Sequence, residues 1–166
     1  MNDFEQAFKE KPFKTCRKRA AEWNPRWNNQ ETAAEMLLIP VRNLMEIETG
    51  QRIPTSDDVA VMSDMYNAPE LKCMYCHDMC PIGKGRVPKV NATSLDRITI
   101  NAISTFNQLS GMSQSLINIV DDGKITDDEK PELDRILRAL QKCSQVAQNL
   151  MVYAEKNLNY SFEEEA

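Results

Sequence analysis

The sequence predicts an all-α protein, on three observations. Period-two alternation and β-branched runs are nearly missing, so strand signals are weak throughout. Apolar residues recur instead at three- and four-residue steps, as in Leu95, Ile98, Ala102, Phe106, Leu109, Met112, Leu116 and Val120. Helix punctuation falls at the ends of such runs: Pro12, Pro40 and Pro69 where helices open, and Gly50 where one closes.

Taken in order, Pro12 sits in the first turn of a helix expected to run to about Trp23, with Phe13, Cys16, Ala20 and Trp23 on one face. "NPRWNN" breaks it and offers Asn28 or Asn29 as the next N-cap. A short helix follows to about Leu37, then a corner at Leu38–Ile39, then a helix from Pro40 to Gly50. A fourth helix begins near Ser56, with Val59, Met62 and Met65 or Tyr66 turned inward. Pro69 starts a short helix that Pro81 and Gly83 must end, and 81–92 looks like a linker. One long helix is expected from Ser94. After "DDGKITDDE" a last helix carries Leu133, Ile136, Leu140, Cys143, Ala147, Leu150 and Ala154, its start marked by Thr126 and Glu129 at capping-box spacing. These elements divide into three segments: 8–66, a cysteine-rich short helix and linker at 67–93, and an antiparallel helical hairpin at 94–160. Such a hairpin cannot cover both of its apolar faces, which implies a partner, either the N-terminal domain or a second subunit.

The chain has 166 residues, 42% hydrophobic and 27% charged, an ordinary globular balance. Its net charge of −5 argues against a protein that coats nucleic acid without regard to sequence. The acidity sits mainly after residue 93, where seven Lys/Arg face twelve Asp/Glu; residues 67–93 hold four against two. The run "MNDFEQAF" lacks a basic patch followed by an apolar stretch, and no segment is apolar enough for a membrane span. Five cysteines, three of them within 73–80, fit a reducing cytosol better than paired disulfides, so a cytoplasmic location is expected.

"QETAAEMLLIPVRNLMEIETGQRIP" carries a family resemblance. Residues 13–66 resemble the lambda-repressor-like (Cro-type, XRE) helix-turn-helix domain, a bundle of four or five helices. Gln30 opens the second helix, Ala34 is the small residue where two helices cross, and Leu37 and Ile39 flank the corner. Leu44 and Ile47 are the inward positions of the recognition helix, and Glu48-Thr49-Gly50 followed by Pro54 matches the family's ending. Leu38 departs from the pattern: it stands where the family often has glycine, so the corner must be made by a residue that disfavours positive φ. The loop "EWNPRWN" is also longer than usual.

The resemblance implies that Glu48 pairs with an arginine of the first helix, Arg17 here. It also implies that Val41, Arg42, Met45 and Glu46 face base edges of double-stranded DNA, with Asn43 near the backbone. Arg42 suits guanine, Val41 a thymine methyl, and Glu46 a cytosine amino group. Gln30 and the Asn28–Asn29 pair stand where a helix N-terminus meets phosphate, and Lys14, Lys18 and Arg19 add positive field.

"CMYCHDMC" puts Cys73, Cys76 and Cys80 on one helix face with His77 beside them. Buried or redox thiols are one reading. A zinc ion or iron–sulfur cluster held by Cys73, Cys76, His77 and Cys80 is the other, although Cys73 and Cys80 stand about 10 Å apart along a straight helix, which one zinc could not bridge without unwinding. "NIVDDGKITDDE" echoes a calcium loop, but Asn118 and Val120 occupy ligand positions poorly. One histidine and no phosphate-cradling glycine loop speak against an enzyme. The expected function is a bacterial transcriptional regulator, a homodimer reading a palindromic operator through the helix opened by Pro40. The alternatives are an adaptor or antirepressor that binds a protein partner, and a thiol- or metal-responsive regulator.

Overall fold

The structure, a computed structural model, describes residues 10–90, 94–120, 124–158 and 160. All regular elements among them are helical, as predicted. The chain divides into two compact units, Met1–Ala92 with Glu155–Ala166, and Thr93–Ala154. Residues 67–92, expected to stand apart as a cysteine-rich segment and linker, group with the first unit, as do those from Glu155 onward.

In the first unit, α1 (Pro12–Ala20) buries Phe13, Cys16, Arg17 and Ala20. It ends earlier than its apolar period suggests. The N–H groups of Glu22 and Trp23 bond the carbonyls of Arg19 and Ala20, a tightened last turn, and Trp23 is left 60% exposed rather than inward. Asn24 then caps a 3₁₀ turn, Pro25–Asn28, by accepting from the Arg26 N–H at 3.2 Å. That turn swings Trp27 into the core instead, edge-on to Tyr66 with ring centroids 5.0 Å apart. The unusual length of this loop is therefore occupied by a core aromatic.

Asn29 caps α2 (Gln30–Leu37), accepting from the N–H groups of Glu31 at 2.8 Å and Thr32 at 3.2 Å. Leu38 makes the corner at φ 57° and ψ 35°, and α3 (Val41–Thr49) follows Pro40. Leu38 is 92% exposed, so the backbone conformation gains nothing from side-chain packing. Gly50, at φ 78°, closes α3. Thr55 and Asp58 cap α4 (Ser56–Met65) reciprocally, with Tyr66 rather than Met65 turned inward. The core joins Phe13, Cys16, Trp27, Ala34, Leu37, Leu44, Ile47, Val59, Met62 and Leu71. Each fully buried Leu or Met there contributes roughly 1.5–3 kcal/mol.

Short α5 (Glu70–Met74) runs into a π turn, Tyr75–Met79, closed by the Cys80 N–H on the Tyr75 carbonyl at 2.8 Å. The supposed linker beyond is folded back. Gly83 is buried on the Cys76 carbonyl, so closely that an added Cβ would lie 2.3 Å from that oxygen, and Val90 is buried too.

The second unit corrects one expectation. The long helix from Ser94 is two, α6 (Leu95–Ser110) and α7 (Ser113–Val120), parted at Gly111 where helix propensity is lowest. Met112 and Ile119 pack with Ile136 and Ala139 of α8 (Lys130–Leu158). Ile98 is inward as expected, but Phe106 is 56% exposed and its neighbour Thr105 is buried, its hydroxyl satisfied by the Asn101 carbonyl at 2.7 Å. On α8, Leu140 and Leu150 are exposed while Ala139, Val146, Asn149 and Val152 are buried. These helices carry more apolar residues than one stripe can hold, so packing chooses which stripe turns inward. Thr126 meets Glu129 before α8, its N–H donating to the carboxylate at 2.8 Å. Residues 121–123 of the calcium-like run, Asp-Asp-Gly, lie outside the described residues.

Candidate nucleic-acid interface

Glu48 ties α3 to α1 and α2 through three hydrogen bonds from two residues. Arg17 of α1 donates through Nη2 to Glu48 Oε2 at 2.8 Å and through Nε to Oε1, and Gln30 Nε2 donates to Oε2 at 2.9 Å. Both charged groups are buried, at 3% exposure or less. Arg17 also donates to the Trp27 carbonyl at 2.6 Å, which ties the long loop to the same strut. Burial works against the Arg17 charge, but the Glu48 hydrogen bond outweighs it and holds the guanidinium protonated. Glu48 is thus internal. Gln30, expected on phosphate, has its amide nitrogen on this carboxylate.

With Glu48 inward, the opposite side of α3 is open. Arg42 is 88% exposed at its side chain, Met45 is exposed, Asn43 is half-buried, and Val41 leans partly against the core. Glu46, expected to accept from a base, accepts from two arginines: Arg42 Nε at 2.8 Å and Arg52 Nε at 3.2 Å. The Arg42 bond is the main cause that pulls the Glu46 carboxyl below the usual carboxylate range. The Gly50 turn brings Arg52 back over the helix end, where the N–H groups of Gln51 and Arg52 both bond the Glu46 carbonyl, at 2.8 and 3.1 Å. Sequence reasoning missed Arg52. The i,i+4 spacing of Arg42 and Glu46 was a readable signal; the return of Arg52 depends on the turn geometry.

On α1, Lys14 is exposed, and Lys18 reaches the Asn28 side-chain oxygen at 3.2 Å. Arg19, expected to add to the positive field, donates to the buried Glu70 at 2.7 Å.

The cysteine segment holds the four residues considered as metal ligands, Cys73, Cys76, His77 and Cys80. Among the described residues no group of three or more His, Cys, Asp or Glu side chains stands in a metal-holding arrangement. Cys73 is buried, while Cys76 and Cys80 are half-exposed. Burial, with Cys80 close by, pushes the Cys76 thiol above its ordinary range. His77 Nδ1 lies 2.7 Å from the Val87 carbonyl and, as the only possible donor of that pair, carries the proton.

No protein-family model, curated protein or solved structure matches this chain. Among the described residues no helix is long and apolar enough to cross a membrane.

Proposed function

We propose that this protein is a sequence-specific DNA-binding transcriptional regulator, a homodimer that sets the α3 helix of each subunit into a major groove. The observation that carries this reading is the opposite disposition of the two acids of α3. Glu48 is consumed inside the domain, and Glu46 is covered by two arginines, so the outward face presents guanidinium groups rather than carboxylates. The exposed Lys14 and Lys18 lie on α1, and electrostatic attraction of such groups to phosphate supplies most nonspecific affinity. For the dimer, the support is the apolar surface of the second unit: Ile100, Ile103, Phe106, Leu137, Leu140 and Leu150 are all between 46% and 66% exposed. Surface of that kind marks an interaction site more often than a bare exterior.

Selection from a pool of random duplex DNA at modest salt tests the reading. A two-fold-related motif with half-sites about one helical turn apart is expected. Failure to enrich any sequence, with the protein shown to be folded, overturns it. Sedimentation at micromolar concentration tests the dimer, and a monomer there removes it.

A second reading is an adaptor or antirepressor that meets a protein through the same fold. The acidic balance, −5 overall, favours it. Absence of any duplex binding at low salt would move the assignment to that reading.

A further inference from the structure

Glu46 is an acid on the helix face that, on the reading above, meets a polyanion, and its cost there needs a cause. Its carboxylate accepts one Nε–H from Arg42 and one from Arg52, each through a different oxygen. The terminal nitrogens of both arginines make no hydrogen bond among the described residues. Two guanidinium groups and one carboxylate leave a local charge of +1 on a chain that is acidic overall. Arg42 is 88% exposed and Arg52 49%, while Glu46, between them, is 24% exposed. A flexible arginine loses considerable rotamer freedom when it docks; one already held by its Nε loses less.

Resting on the regulator reading, we infer that Glu46 is a positioning residue: it orients Arg42 to present its two terminal nitrogens end-on to a guanine, and Arg52, outside the recognition helix, to the adjoining phosphate. Glu46 itself makes no base contact. An arginine whose Nε is occupied can still donate two parallel hydrogen bonds through Nη1 and Nη2, which matches the paired O6 and N7 acceptors of guanine. Because exposed ion pairs add little to folding, the benefit lies in orientation and not in stability.

Two measurements on the full-length protein test this. In the DNA-free protein at neutral pH, the Arg42 and Arg52 Nε–H resonances, assigned by their loss in R42K and R52K, are expected to be resolved and slow to exchange. They should merge with the fast-exchanging arginines in E46Q. Fast exchange of both in the wild-type protein overturns the positioning. On duplexes retained from the random pool, E46Q should lose about tenfold in affinity while holding or gaining affinity for scrambled DNA. In an R42A/R52A background the same change should cost nothing further. Tighter binding of E46Q to every duplex would make Glu46 a plain electrostatic penalty and overturn the proposal. So would a loss that persists without the two arginines and shifts one preferred base, since that is the mark of direct contact. A pool that yields no sequence while the Nε–H signals stay slow overturns the regulator reading and the DNA role of the arginines with it; the slow signals would leave only the ion-pair geometry standing.

Discussion

Lys156, in the last turn of α8, donates to Glu70 Oε1 at 2.7 Å, 86 residues away in sequence. Arg19 Nη1 meets the same oxygen, also at 2.7 Å, and the Lys156 carbonyl accepts from Asn67 Nδ2 at 3.2 Å. Glu70 is 1% exposed, so this is a buried acid shared between two cations, all three residues lying within the first unit. Replacing Glu70 by Ala removes the buried acid that Arg19 and Lys156 share, and a loss of about 3–5 kcal/mol is expected in urea unfolding.

The same group gives a pH dependence. Burial pushes the Glu70 carboxyl upward, but Arg19 and Lys156 outweigh it and leave its pKa below the ordinary 4.5. A carboxyl whose folded value is depressed stabilises the fold above its unfolded value and loses that contribution as the pH falls through the folded one. The stability difference between wild type and E70Q should therefore be constant above about pH 5 and shrink as the pH drops below about 4. A difference that instead widens toward acid would refute the pairing.

Arg17 and Glu48 are more deeply buried, and the two halves of the pair are not equivalent to the whole. R17M leaves Glu48 with only the Gln30 amide, and a destabilisation of about 3–5 kcal/mol is expected by chemical denaturation. The double variant R17M/E48L removes both charges and should recover most of that loss. Additive losses from the two changes would show that the charges do not interact.

The left-handed residues that end α2 and α3 should respond with opposite sign. Leu38 adopts φ 57° with its side chain in solvent, so Leu38→Gly relieves backbone strain and should raise stability by about 0.5–1 kcal/mol. Gly50 adopts φ 78° with open space where a Cβ would stand, so Gly50→Ala should cost about 1 kcal/mol from conformation alone. Thermal midpoints moving the same way at both sites would contradict the corner geometry.

Thiol accessibility should separate the five cysteines into two classes. Cys76, Cys80 and Cys143 are half-exposed and should react with a thiol reagent in the native protein at pH 8, whereas Cys16 and Cys73 should react only on unfolding. Cys16 is the extreme case, its thiol pushed up to about 12 by burial, with Glu70 adding to the effect. Labelling of native Cys16 at the rate of the unfolded chain would show that the α1 core opens readily.

Much of the first unit was legible because its signals are local. Proline and glycine at helix ends, Asn29 as a cap, and an inward stripe of Leu37, Leu44 and Ile47 are set by the backbone chemistry of a few neighbouring residues. Arg17 with Glu48, 31 residues apart, was reached only through the family resemblance, and the structure pairs the same two residues. Trp23 and Trp27 show where periodicity fails: the pattern turned Trp23 inward, and only the 3₁₀ turn decides that Trp27 is the core residue.

By itself, the sequence determined the all-α class, where most helices start and the odd corner at Leu38, since propensity, capping and steric limits on φ act over a few residues. Only the tertiary structure decided which apolar stripe of α6 and α8 turns inward, that Arg52 returns over Glu46, and that Arg19 goes to Glu70 rather than outward. The two ion pairs among those outcomes span six and 51 residues, where every helix offers several competent partners and the closest fit in the packed interior selects one.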